Sequence, residues 1–301
     1  MSALHETKQH GKLSFPFTVY SGRIPEWLTY FPLHWHDEME LIYVQNGRMA
    51  VTVQGDEIVL SEGEIACIQP QLVHSIRQYE NDSVYYNNIL FRLSLLENNT
   101  RDLCYEKYFQ PVYSGKMIIP RYISSENELN GVLKPYIQQL ISFRYRSENG
   151  IELIIKSGLF AIMHYLCSMS KPEDQQEQYI NSLYDKLKRS ISFIKNNYND
   201  NITVEKAAAL CNFSTSHFSK MFRELTGSSF IQYLKNYRLE IAAEKLTGEG
   251  KSVSTAAMEC GFNNLSYFTR AFSEKYSCSP RKYVKNYESV KNKHTSRKDE
   301  I

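Results

Sequence analysis

Three histidines and one glutamate in the first quarter of the chain have the types and spacing for chemistry: His34-x-His36-x3-Glu40, with His74 further on. Three imidazoles and a carboxylate suit a first-row transition ion such as zinc, manganese, iron or nickel. The same groups also recognise hydroxyls, because a neutral imidazole carries one donor and one acceptor and a carboxylate accepts. Alternate side chains of a strand share a face, so His34, His36 and Glu40 are expected on one inner face, with His74 brought in from another strand. Trp27, Trp35, Tyr43 and Tyr20 offer flat apolar surfaces on which a sugar-like molecule stacks, or equally fill the core.

With Gly47 and Gly63 the spacing resembles the two motifs of the cupin barrel, in which two His, a Glu and a third His converge on a metal. Gln71 stands where the second Gly is usual, Pro70 is one place late, and Gln78 stands where Asn is common. These departures, and the absence of an activated nucleophile nearby, argue against catalysis and a bound cofactor. His34, His36, Glu40 and His74, flanked by Trp35 and Tyr43, are expected to form a ligand pocket for a polyol or sugar-like effector.

The surrounding sequence has the texture such a pocket needs. Between Phe15 and Leu93, short runs such as Leu41-Ile-Tyr-Val44 and Met49-Ala-Val-Thr-Val53 alternate with turn signals at Asn46-Gly47, Gly55-Asp56 and Glu62-Gly63. That pattern predicts an antiparallel sandwich or barrel. Helical periodicity follows over 126–143 and 151–169, the second stretch apolar around most of its circumference. Two such helices pack together or against another copy, with dimerisation over residues 126–170 the expectation, and the polar Lys171–Gln178 reads as a linker. Helix returns from Leu183, and Ser289–Ile301 has the composition of a frayed tail.

The charge of the 301 residues is +2 overall but unevenly divided: residues 181–301 carry a net +8, residues 1–180 a net −6. A basic C-terminal part suits a polyanionic partner. The six cysteines are scattered without a Cys-x-x-Cys pair, against a zinc site or disulfide framework. Residues 1–11 are polar, without a signal-peptide core, and no apolar run approaches the roughly 20 residues of a membrane span. A cytoplasmic protein with no membrane contact is the expectation.

The basic part contains a repeat. Val204-x-x-Ala-Ala208-x-x-Cys-Asn-Phe213 matches Val253-x-x-Ala-Ala257-x-x-Cys-Gly-Phe262 at an offset of 49, and His217–Phe222 matches Tyr267–Phe272 at an offset of 50. Each copy reads as a short helix, a turn closed by Asn212 or Gly261 in a left-handed conformation, and a second helix capped by Ser214 or Asn263. Phe218/Phe222 and Phe268/Phe272, four apart, anchor that helix inward and leave the residues between them outward. This is a helix-turn-helix plan, duplicated.

Residues 185–287 closely resemble the DNA-binding domain of AraC/XylS-type transcription regulators, through Cys260-Gly-Phe262, Ser266-Tyr-Phe-Thr-Arg-Ala-Phe272, Ser279-Pro280-x-x-Tyr283 and Arg238-Leu239-x-x-Ala242. Ser277 departs from the family's usual Gly, which Gly227 supplies in the first unit. The resemblance implies two helix-turn-helix units joined by a helix over about 229–246, reading successive major grooves of double-stranded DNA. Ser216, Ser219 and Lys220 are the implied reading residues of the first unit; Ser266, Tyr267, Thr269 and Arg270 those of the second.

The expected fold is thus α+β: a cupin-like antiparallel barrel (1–122), a helical dimerisation segment and linker (123–178), an all-α DNA-binding domain with two helix-turn-helix units (179–288), and a disordered tail (289–301). The expected function is effector-controlled, sequence-specific transcription regulation, activating by family habit, by a homodimer that engages RNA polymerase. Two alternatives stay open: a metal-dependent cupin enzyme with an appended DNA-binding domain, and a DNA-binding protein without an effector.

Overall fold

A computed structural model describes residues 5–6, 8–25, 29–97 and 102–296, with side chains through Ser289; Trp27 lies outside the described residues. The chain divides into two compact units between Tyr184 and Asp185.

The first unit is built on eight strands: β1 (Phe17–Ile24), β2 (Tyr30–His34), β3 (Met39–Asn46), β4 (Met49–Val53), β5 (Asp56–Leu60), β6 (Ile65–Ile68), β7 (His74–Gln78) and β8 (Val84–Phe91). After these come α1 (Gln110–Tyr113), β9 (Met117–Ile118), β10 (Tyr122–Ile123), α2 (Glu128–Ser142), α3 (Ile151–Ser168) and β11 (Lys171–Pro172). The strands form two antiparallel sheets, ordered β1-β8-β3-β6-β10 and β2-β7-β4-β5, as the alternation and turn signals predict.

Strand β3 shows how one sequence serves two cores. Ile42 and Val44 point between the sheets, against Met49, Val51 and Val53 of β4. Met39, Leu41 and Tyr43 point the other way, into a second core with Leu133, Ile137 and Leu140 of α2 and Ile155, Leu159 and Ile162 of α3. A strand buried on both faces reads as an unbroken apolar run, which Leu41–Val44 is.

Two expectations for this region change. The buried face of α3, including Ile155 and Ile162, is occupied within its own unit, so those residues are core rather than a dimer seam. By length and composition α3 is apolar enough to cross a membrane, but it packs here on α2 and the sheet. The segment read as a linker is structured: β11 pairs with β9, and α4 (Gln175–Asn197) begins at Gln175. Its first turns are tied to the strands, Glu177 by Arg121 at 2.8 Å and Asn181 by Gln54 at 2.9 Å, which moves the unit boundary to Tyr184.

The second unit continues with α5 (Val204–Leu210), α6 (Thr215–Thr226), α7 (Phe230–Gly248), α8 (Val253–Glu259), α9 (Leu265–Tyr276) and α10 (Pro280–Ser296). Phe218, Phe222, Phe268 and Phe272 are fully buried, each contributing about 1.5–3 kcal/mol of apolar burial. The Ala pairs 207/208 and 256/257 are buried where the short helices pack. Asn212 (φ 54°) and Gly261 (φ 77°) take the expected left-handed conformation, and so does Ser277 (φ 55°), matching Gly227 (φ 71°). Ser214 caps α6, but the cap of α9 is Asn264, not Asn263. The repeat offset has already grown to 50 at the cap, so Ser214 pairs with Asn264. Helix α10 runs to Ser296, into the stretch expected to be a frayed tail; residues 297–301 are outside the described residues.

Candidate functional site

Glu40 shares the inward parity of Ile42 and is fully buried at one end of the space between the sheets. His34 ends β2, His74 opens β7, and the two are register partners across that strand pair. His36 lies in the β2–β3 connection, and its Nε2–H donates to Glu40 Oε2 at 3.1 Å. His74 Nε2 stands 3.1 Å from the same oxygen but without hydrogen-bond alignment. The structure therefore brings together all four polar residues expected from the sequence.

The charges are set by this contact. Burial opposes ionisation of Glu40, but the hydrogen bond from His36 and the adjacent His74 outweigh it and hold the carboxyl well below the usual range. Burial also works against the His36 imidazolium; Glu40, with Glu38 and Glu6, overcomes it and raises the pKa. At His34, burial and the neighbouring His74 outweigh Glu40 and lower it to about 4, so that ring is neutral at pH 7.

His34, His36 and Glu40 line a cavity of about 250 Å³. His74, Trp35 and Tyr43 do not, contrary to the sequence reading. Trp35 falls between two inward histidines, faces the other way and stacks on His5 with centroids 5.4 Å apart. Tyr43 is three residues from Glu40, so its parity sends it into the helix-side core. The cavity takes its aromatic walls from Tyr20, Tyr30, Phe31 and Tyr86 instead. Tyr20 and Asn88 are paired across β1 and β8, as are Gly22 and Tyr86. A Cβ at Gly22 would sit 2.4 Å from the Tyr86 ring, so a larger residue there would displace that aromatic wall. The Asn88 Oδ1 is buried without a hydrogen-bond partner among the described residues. Glu6, Lys8 and His10 close the cavity from the N-terminal segment, which is anchored by the Glu6 N–H to the Trp35 carbonyl at 2.9 Å. No sequence signal marked these three; the alternation of β1 and β8 was available for the rest.

In the second unit, Ser216, Ser219, Lys220, Ser266, Tyr267 and Arg270 are exposed on α6 and α9, and Thr269 is half-buried with its hydroxyl donating to the Leu265 carbonyl. The Arg270 guanidinium lies 5.8 Å from the Tyr267 ring centre, held on the outer face without an ion-pair partner among the described residues. Among the described residues Lys220 meets only Glu224, at 3.9 Å on the surface, a contact too weak and exposed to withhold it from a ligand.

Residues 16–159 match the model of the AraC-like ligand binding domain, and residues 207–286 match a helix-turn-helix domain. The chain belongs to the AraC family of transcription regulators. Over 291 residues it is 23% identical to the uncharacterised regulator YdeC of Bacillus subtilis, covering 94% of this chain and 96% of that one. It is 25% identical to the transcriptional activator RhaR of Mannheimia succiniciproducens, over 84% and 87% of the two chains. Among solved structures it is similar to the DNA-binding domain of AdpA in complex with a target DNA (28% identity, 35% of this chain, 95% of that one, TM-score 0.34). It is also similar to ToxT of Vibrio cholerae (14% identity, 89% and 97%, TM-score 0.40). As an AraC-family member the chain is a DNA-binding regulator with a ligand-binding domain, and its relatives are regulators rather than enzymes.

Proposed function

We propose that this regulator activates transcription in response to a polyol or sugar-like effector held in the cavity of the first unit. The observation that carries the effector class is the composition of that cavity: aromatic faces for the carbon skeleton, the His36–Glu40 pair, and an unpartnered buried acceptor at Asn88 that a hydroxyl satisfies. Lys220 and Arg270 read base edges through α6 and α9, with the Ser, Thr and Tyr side chains beside them taking bases or phosphates. Effector binding controls DNA binding only through a difference in affinity between two states. The active form is a cytoplasmic homodimer that contacts RNA polymerase. Leu153, Ile154 and Phe160, exposed along the outer face of α3, supply its apolar seam.

A thermal-shift screen of monosaccharides and polyols tests the effector. A ligand at about 100 times its Kd stabilises by roughly 2.7 kcal/mol, and Asn88→Leu should abolish that shift while leaving DNA affinity without effector unchanged. Loss of DNA affinity in Asn88→Leu, or identical shifts in both proteins, contradicts the assignment.

A further inference from the structure

The two reading helices follow one plan but hold their cations differently. In the second unit Phe262 is buried at the turn, and the Tyr267 ring leans on it with centroids 6.2 Å apart. The Tyr267 N–H donates to the Asn264 side chain at 2.8 Å, so the residue is fixed through its backbone as well as through the core. Arg270 stands three residues on, on the same helix face, and its guanidinium lies over the Tyr267 ring at 5.8 Å. In the first unit His217 takes the place of Tyr267 and packs on Phe213 with centroids 4.1 Å apart. Lys220 takes the place of Arg270, and its one ion pair among the described residues is the surface contact with Glu224.

We propose that Tyr267 is a positioning residue for Arg270, and that the Phe262–Tyr267–Arg270 stack makes α9 the more stringent reader of the two helices. The inference rests on the DNA-reading role of α9 given above. A guanidinium is a planar fork that matches guanine O6 and N7 only when its plane is correctly turned. A free arginine samples many rotamers, and ordering it on binding costs free energy that a preorganised side chain does not lose again. The ring beneath Arg270 removes part of that freedom, because the attraction between the cation and the ring face acts before DNA arrives. The Lys220 ammonium is a hydrated point charge with no plane to orient. Helix α6 therefore adds affinity and a softer base preference, and α9 the sharper one.

The full-length chain is used to select duplexes from a random library, and each guanine of the enriched site is replaced in turn by 7-deazaguanine, which lacks the N7 acceptor. Anisotropy titration then gives the affinity penalty at each guanine. Arg270→Ala should erase the penalty at one of them. Tyr267→Leu should shrink the penalty at that same guanine by about 2–5-fold, the worth of one exposed cation–π contact. Its affinity for unrelated duplex and its salt dependence should match the wild type. Tyr267→Phe keeps the ring and should keep the full penalty. Any guanine penalty that Lys220→Ala erases should be the smaller one. Tyr267 is exposed, so the melting temperature should hold; should Tyr267→Leu fail to fold, Arg270→Lys, which leaves the ring in place, should reduce the penalty to that of the first unit. An unchanged penalty in Tyr267→Leu or Arg270→Lys overturns the stack alone. Equal losses in Tyr267→Leu and Tyr267→Phe also overturn it, because the hydroxyl rather than the ring would then act. Penalties untouched by Arg270→Ala at every guanine overturn the reading role of α9 itself, and the stack with it.

Discussion

Gly261 closes the turn of the second helix-turn-helix unit at φ 77°, and a Cβ there would lie 2.8 Å from the Asn199 carbonyl oxygen and 3.0 Å from the Arg238 guanidinium. Gly261→Ala therefore meets two costs. An L-residue in the left-handed region costs about 1–2 kcal/mol, and forcing a methyl against fixed backbone adds about 1–3 kcal/mol. Arg238 is not free to yield, because it donates to the Tyr198 carbonyl at 2.6 Å and the Asp200 carbonyl at 2.7 Å. The expected loss is about 2–5 kcal/mol. Gly227→Ala is the control: its φ is 71°, but nothing among the described residues lies within 4 Å of the added methyl, so only the conformational cost of about 1–2 kcal/mol applies. Tryptophan fluorescence is blind here, since Trp27 and Trp35 both belong to the N-terminal part. Hydrogen exchange of the full-length chain reports the difference: peptides of α8 and α9 should exchange at least about 30-fold faster in Gly261→Ala, at 1.4 kcal/mol per factor of ten, with strand peptides of the first unit unaffected. Equal exchange in the two variants would refute the argument, because it would mean that the crowding around Gly261 carries no energy.

Ser277→Gly reverses the same logic: at φ 55° the change should stabilise the second unit by about 0.5–1 kcal/mol, read as slower exchange in α9 and α10. Arg238→Ala removes two charge-assisted bonds to backbone and should cost about 2–4 kcal/mol, seen as faster exchange in α5 and α7; no change would show that water replaces the guanidinium without loss. Leu153→Glu with Phe160→Glu should turn a dimer into a folded monomer by sedimentation, whereas Ile155→Glu should unfold the first unit because Ile155 is buried within it.

What was legible in the sequence was what depends on short spacing. The repeat, its Phe pairs and its left-handed Asn212 and Gly261 are local features, and the structure reproduces them. The His-x-His and Glu40 spacing was equally local, and the three residues meet as expected. The errors arose where parity was not carried through or where partners are distant. Counting from Glu40 in twos places Tyr43 on the opposite face, and Trp35 between two inward histidines is likewise turned away. Asn264 was displaced by one because the insertion in the second turn precedes the cap rather than following it. Lys171–Gln178 has linker composition, yet Arg121, 56 residues earlier, recruits Glu177 into the first unit. The N-terminal residues of the cavity carry no pattern at all, since their placement follows from a bridge to Trp35.

The central claim is that α6 and α9 are the DNA-reading elements. It is tested by titrating wild type, Lys220→Ala and Arg270→Ala against the DNA flanking this chain's own coding sequence, by anisotropy at two salt concentrations. Each substitution should weaken binding by about 1–3 kcal/mol if it reads a guanine edge, with affinity for all three proteins falling steeply as salt rises. Affinities for both variants equal to that of the wild type would contradict the account.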